Sequence, residues 1–131
     1  MANRTPLVAG MVLCASSAFA HHSLDKTYDL KTEIRMQGRL LQVLLRNPHS
    51  FLQLEVPDAQ GVPQRWSLEW KGSGSLAKSS ILRDTLKPGD ALVVTVNPGR
   101  TPGDHRGVLT TLQRPSDGLA WDAHPKKHRK S

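Results

Sequence analysis

The sequence predicts an all-β domain with one short helix, built as a small five-stranded barrel, and three observations carry that expectation. Five runs of β-type residues are separated by turn signals, a glycine (Gly38) stands in the middle of the longest run, and a helical pattern falls between the third and fourth runs. Five strands, the first long and bent, with a helix in that position, follow the element order of an OB-type barrel. A small β-sandwich is the alternative, because periodicity alone does not separate the two. Closure favours the barrel, since a chain this short with several amphipathic strands would otherwise expose sheet edges.

The first strand is expected from Thr32 to Arg46, bent at Gly38. Asn47-Pro48-His49 interrupts it, because proline donates no ladder hydrogen bond and biases the residue before it toward extended geometry. The second strand, Ser50 to Val56, sets Leu52, Leu54 and Val56 on one face against Phe51, Gln53 and Glu55 on the other. A turn at Pro57-Asp58-Ala59-Gln60-Gly61 leads into the third, Gln64 to Trp70, with Trp66, Leu68 and Trp70 sharing a face. Ser75 is expected to cap a helix reaching about Arg83. Lys87-Pro88-Gly89-Asp90 reads as a tight turn, Ala91 to Val96 as a β-branched strand, and Asn97 to Asp104 as a loop. Arg106 to Gln113 is the last clear strand, and Asp117-Gly118 turns the chain before Leu119-Ala120-Trp121.

The N-terminus reads as a cleavable export signal. Arg4 precedes an apolar run from Leu7 to Cys14, followed by small residues and then Ala18-Phe19-Ala20, so cleavage is expected after Ala20. The apolar run is shorter than the roughly 20 residues a bilayer core requires, and no later segment is apolar enough to stop transfer. Three regions follow: a signal at 1–20, one β-barrel domain at 21–121, and a basic tail at 122–131 expected to be disordered. The expected location is the periplasm or the secreted fraction. Cys14, the single cysteine, lies within the signal, so the mature chain has neither a disulfide framework nor a thiol nucleophile. Removing Arg4 with the signal leaves 17 basic and 11 acidic side chains, a formal charge of +6. Lys126, Lys127, Arg129 and Lys130 carry four of those charges in the tail, which could contact anionic surfaces and leaves the folded part only mildly basic.

Ala20-His21-His22-Ser23, Tyr28-Asp29, Gly38, Asn47-Pro48-His49, Trp66-Leu68-Glu69, Leu76, Arg83-Asp84 and Leu86-Lys87-Pro88-Gly89-Asp90 occur in an order that resembles the DUF6152 family. The resemblance spans about His21 to Leu119. It implies a small exported bacterial protein of unknown function and names no reaction. Members often carry a tryptophan shortly before Asn-Pro-His, where this chain has Leu44-Leu45-Arg46.

The most chemical content lies at the expected mature N-terminus. Cleavage after Ala20 would give His21 a free α-amine beside its imidazole, and His22 would add a second ring. Three nitrogens within two residues suit copper, the tightest-binding divalent ion of the first transition row. The amine has a reference pKa near 8, so a metal ion could displace its proton at neutral pH. His49, in the Asn-Pro-His turn, is the candidate for a further ligand from the folded domain. The metal site expected from sequence is therefore His21, His22 and His49, with copper as the one cofactor indicated. The plainer reading makes His21 and His22 a solvated chain end and His49 a turn residue bonded to a carbonyl.

No catalytic residue stands out. Asp25, Asp29, Glu55, Glu69 and Asp90 show no paired spacing for general acid and base, and Glu69 is expected in an ion pair with Arg83. No Gly-x-Ser-x-Gly motif surrounds a serine. Nucleic acid is disfavoured as a partner: base stacking needs exposed aromatic platforms, and several of Tyr28, Phe51, Trp66, Trp70 and Trp121 are expected in the core. The sequence thus favours an exported binding or accessory module over a metal-assisted enzyme using the same histidines, or an interaction protein with no small ligand.

Overall fold

The structure, a computed structural model, describes residues 23–125. The expected signal and the tail residues 126–131 lie outside the described residues, as do His21 and His22. The strands are β1 (Ile34–Leu44), β2 (His49–Pro57), β3 (Pro63–Lys71), β4 (Ala91–Pro98), β5 (Arg106–Arg114) and β6 (Leu119–Asp122), with helix α1 (Ser73–Lys78) between β3 and β4. They form a sheet in the order β3-β2-β1-β4-β5-β6. It closes where β3 pairs in parallel with β5, Leu68 opposite Gly107. The result is the expected five-stranded OB-type barrel, with β6 as an additional strand on the free edge of β5. β6 takes in Asp122, the first residue of the segment expected as tail.

Closure depends on β1 serving two neighbours. Its first half, Ile34 to Arg39, pairs with β4, and its second half, Arg39 to Leu44, pairs with β2 through a bulge between Leu40 and Gln42. Gly38 stands at the handover because there is no room for a side chain: a Cβ there would lie 2.8 Å from the Glu55 carbonyl oxygen and from Val56 Cγ2. The bend is thus a close backbone approach, a use of glycine within strands that coil around a barrel.

Period-two alternation sends Leu52 and Leu54 of β2, Leu68 and Trp70 of β3, and Val94 and Val96 of β4 into one core with Leu40 and Leu112. Burial of each such side chain contributes on the order of 1.5–3 kcal/mol. The tryptophans of β3 therefore face inward, which puts Glu69 on the outer surface. Leu76 of α1, with Ile81 and Leu86 from the following connection, joins the same cluster.

The helix differs from its sequence expectation at both ends. It begins at Ser73, with Gly72 rather than Ser75 in the capping position, and Gly72 has no side chain to offer. The capping acceptor comes instead from the β1–β2 loop: Asn47 Oδ1 accepts the Gly74 N–H at 3.2 Å. This bond satisfies one of the donors that a helix start leaves unpaired. The helix ends at Lys78 because Ser80 adopts φ 62°, and the amides of Ile81 and Ser80 donate back to the carbonyls of Leu76 and Ala77. That is a Schellman stop, completed by the buried pair Leu76 and Ile81.

Candidate functional site

The β1–β2 loop delivers His49 to the first position of β2, directly opposite Lys71 of β3. Glu69 lies two residues before Lys71 on the same outer face, the diagonal spacing at which long side chains meet across an antiparallel pair. His49 Nδ1 stands 2.6 Å from Glu69 Oε1. A carboxylate only accepts, so Nδ1 carries the proton, and in the neutral ring Nε2 keeps its lone pair. The His49 side chain is 41% exposed and that of Glu69 15%, so the ring is reachable while the group orienting it is sheltered.

The second carboxylate oxygen is also engaged. Tyr28, nearly fully buried, donates its hydroxyl to Glu69 Oε2 at 2.7 Å. Arg106 lies over the Tyr28 ring, its Cζ 5.3 Å from the centroid, and its Nη2 donates to the Tyr28 hydroxyl at 3.5 Å. Burial pushes the Tyr28 phenol above its ordinary range; Arg106 opposes that shift and the Glu69 carboxylate adds to it. The outcome is a chain of contacts, Arg106 to Tyr28 to Glu69 to His49, that ends on an accessible imidazole.

His49 and Glu69 border a cavity of about 380 Å³ whose apolar wall includes Leu24, Trp70, Val108 and Leu109. Leu24 belongs to a helical turn, residues 23–27, in the segment that follows His22. That segment is held against the β4–β5 loop. Tyr28 bridges to Gly99, the Asp29 N–H donates to the Pro98 carbonyl, and Arg100 reaches the Asp25 carbonyl at 2.6 Å and its carboxylate at 3.0 Å.

Of the residues expected to hold a metal, the structure places His49; His21 and His22 fall outside the described residues. Among the described residues no group of three or more His, Cys, Asp or Glu side chains could hold an ion. Glu69 bonds His49 and Tyr28 rather than Arg83 as expected, because β3 ends beside the β1–β2 loop while Arg83 lies in the connection beyond α1. His49 proves to be a strand residue bonded to a carboxylate, not a turn residue bonded to a carbonyl. Tyr28 and Arg106 had no functional reading from sequence. Tyr28 and Glu69 were nevertheless both among the residues carrying the family resemblance. Of the aromatics, Tyr28, Trp70 and Trp121 are buried, while Phe51 and Trp66 are partly exposed.

Fold and site together define a small OB-type barrel with an oriented histidine beside an apolar cavity. The chain belongs to DUF6152, a family of unknown function, whose profile matches residues 9–109. No curated protein matches the chain. Among solved structures, it is similar to the mitochondrial single-stranded DNA-binding protein Rim1 of S. cerevisiae, with a TM-score of 0.46 and 8% identity over 63% of this chain and 91% of that one.

Proposed function

We propose that this protein is a small exported bacterial binding or accessory module, periplasmic or secreted, that captures a copper ion between its processed N-terminus and His49. The observation that carries the reading is the geometry of His49, whose Nδ1 is held on Glu69, which leaves Nε2 as the ring nitrogen with a lone pair to offer, and whose side chain lines a cavity that Leu24 also lines. Metal-binding histidines are commonly oriented in this way by a carboxylate on the far ring nitrogen. One imidazole does not hold an ion alone, so the remaining ligands must come from elsewhere. His22 lies two positions before Leu24, a span of at most about 7 Å of extended chain. That reach supports bringing the His22 ring, the His21 ring and the α-amine to the ion that His49 binds.

The test is a calorimetric copper titration of natively processed protein beginning at His21, beside His21→Ala, His22→Ala and His49→Ala variants and a form that retains an N-terminal methionine. The reading expects one copper per chain, with binding weakened in every variant and most in the methionine form, whose α-amine is displaced. Equal binding in all five proteins would contradict it, as would the absence of binding by the processed protein.

A further inference from the structure

Besides its contact with Glu69, Tyr28 lies on the segment that leads back to the expected N-terminal ligands, four residues after Leu24 and six after His22. We propose that Tyr28 is a positioning residue for the His49 site: its hydroxyl fixes the Glu69 carboxylate, which selects the His49 tautomer, and its buried ring tethers the N-terminal segment beside the cavity. The metal consequence rests on the copper reading above; the tautomer consequence does not.

Three features of the geometry support this assignment. Glu69 accepts on both oxygens, His49 at 2.6 Å on one and Tyr28 at 2.7 Å on the other. Without the Tyr28 hydroxyl, Oε2 loses its described side-chain donor, and the carboxylate can rotate about its last torsion, a broad well for this side-chain type. Rotation spoils the Nδ1 contact and lets the ring protonate on either nitrogen. Second, Arg106 packs on the ring face as well as reaching the hydroxyl, so a phenylalanine at position 28 keeps the packing and loses only the oxygen. Third, the segment has its own backbone anchors, the Asp29 amide on Pro98 and the Arg100 amide on the Thr27 carbonyl, which stay available in that variant.

The experiment uses metal-free protein beginning at His21, labelled with ¹⁵N in its histidines. Long-range proton–nitrogen spectra at about pH 8, assigned with His49→Ala, read the His49 tautomer directly. Wild type is expected to show a single form, protonated at Nδ1. Tyr28→Phe and Glu69→Ala are each expected to give a mixture of both tautomers, with the dispersed backbone spectrum of a folded barrel retained. In parallel copper titrations, the loss of this outer partner is expected to weaken binding about 10- to 100-fold. A single Nδ1-protonated form in Tyr28→Phe would overturn the proposal, and so would a wild-type mixture. Should Tyr28→Phe fail to fold, Glu69→Ala decides alone, and an unchanged tautomer there overturns it equally. Tautomer mixing in both variants, with no copper bound even by wild type, would uphold the positioning role and dismiss the copper reading.

Discussion

Two glycines at the start of α1 should respond in opposite directions to the same substitution. At Gly72 a Cβ would lie 2.6 Å from both Asn47 Oδ1 and the Pro48 carbonyl oxygen, about 0.8 Å inside ordinary van der Waals contact. Its backbone is extended, with φ −63° and ψ 152°, so the obstacle is space alone. Gly72→Ala must push the β1–β2 loop away, at about 1–3 kcal/mol for overpacking. It also loosens the Asn47 cap on Gly74, for which a further cost of about 1 kcal/mol is typical. At Gly74, inside the helix, the nearest atom to a Cβ is Asn47 Oδ1 at 3.9 Å. Gly74→Ala therefore has room and gains about 0.5–1 kcal/mol in helix propensity. Urea unfolding followed by circular dichroism measures both, read as midpoint shifts at constant slope. A Gly72→Ala protein as stable as wild type, or two variants shifting in the same direction, would refute the packing described for this loop.

Three other expectations follow from the same structure. Ser50 is fully buried, and its Oγ accepts the Arg46 N–H at 3.1 Å and donates to the Arg46 carbonyl at 3.2 Å, so Ser50→Ala should cost about 1–3 kcal/mol in chemical denaturation. The Arg114 guanidinium holds the Asp117 carboxyl at about 2, and at Asp90 the Lys87 N–H and Arg114 outweigh the upward push of burial. Because these folded values lie below the unfolded reference near 4, the stabilisation is present above about pH 4 and lost as pH falls toward about 2. The thermal midpoint should drop over that window in wild type and less steeply in Arg114→Met. At the alkaline end the raised Tyr28 phenol acts with the opposite sign: its contribution is complete below about pH 10 and disappears as pH rises further, so Tyr28→Phe should flatten that limb of the stability profile.

The strands were legible because their pattern is local. Leu52, Leu54 and Val56 alternate as a half-buried strand must, and Gly38 marked the bend at the right residue. The long-range features were not legible. Ser75 looked like a helix cap, yet the acceptor belongs to Asn47, which stands 27 residues before the Gly74 amide it caps. The helix stopped at Lys78 instead of continuing to Arg83 because Ser80 takes a left-handed conformation that glycine more often marks. At the site, sequence singled out His49 but paired Glu69 with the wrong partner. Spacing along one strand does not reveal a diagonal neighbour on the next, and it reveals still less a tyrosine 41 residues away. Tyr28 sits outside every periodic run, so its burial follows only from the way the N-terminal segment docks.

The central claim is that one copper ion bridges the processed N-terminus and the barrel through His49. Pulsed electron paramagnetic resonance of the Cu(II)-loaded protein beginning at His21 tests this most directly, because it detects the remote nitrogen of each coordinated imidazole. The account predicts three coordinated imidazoles in wild type and two in His49→Ala, with the ion still bound in the variant by the N-terminal residues. An imidazole count that does not change when His49 is removed would contradict the account and leave the barrel without a part in metal binding.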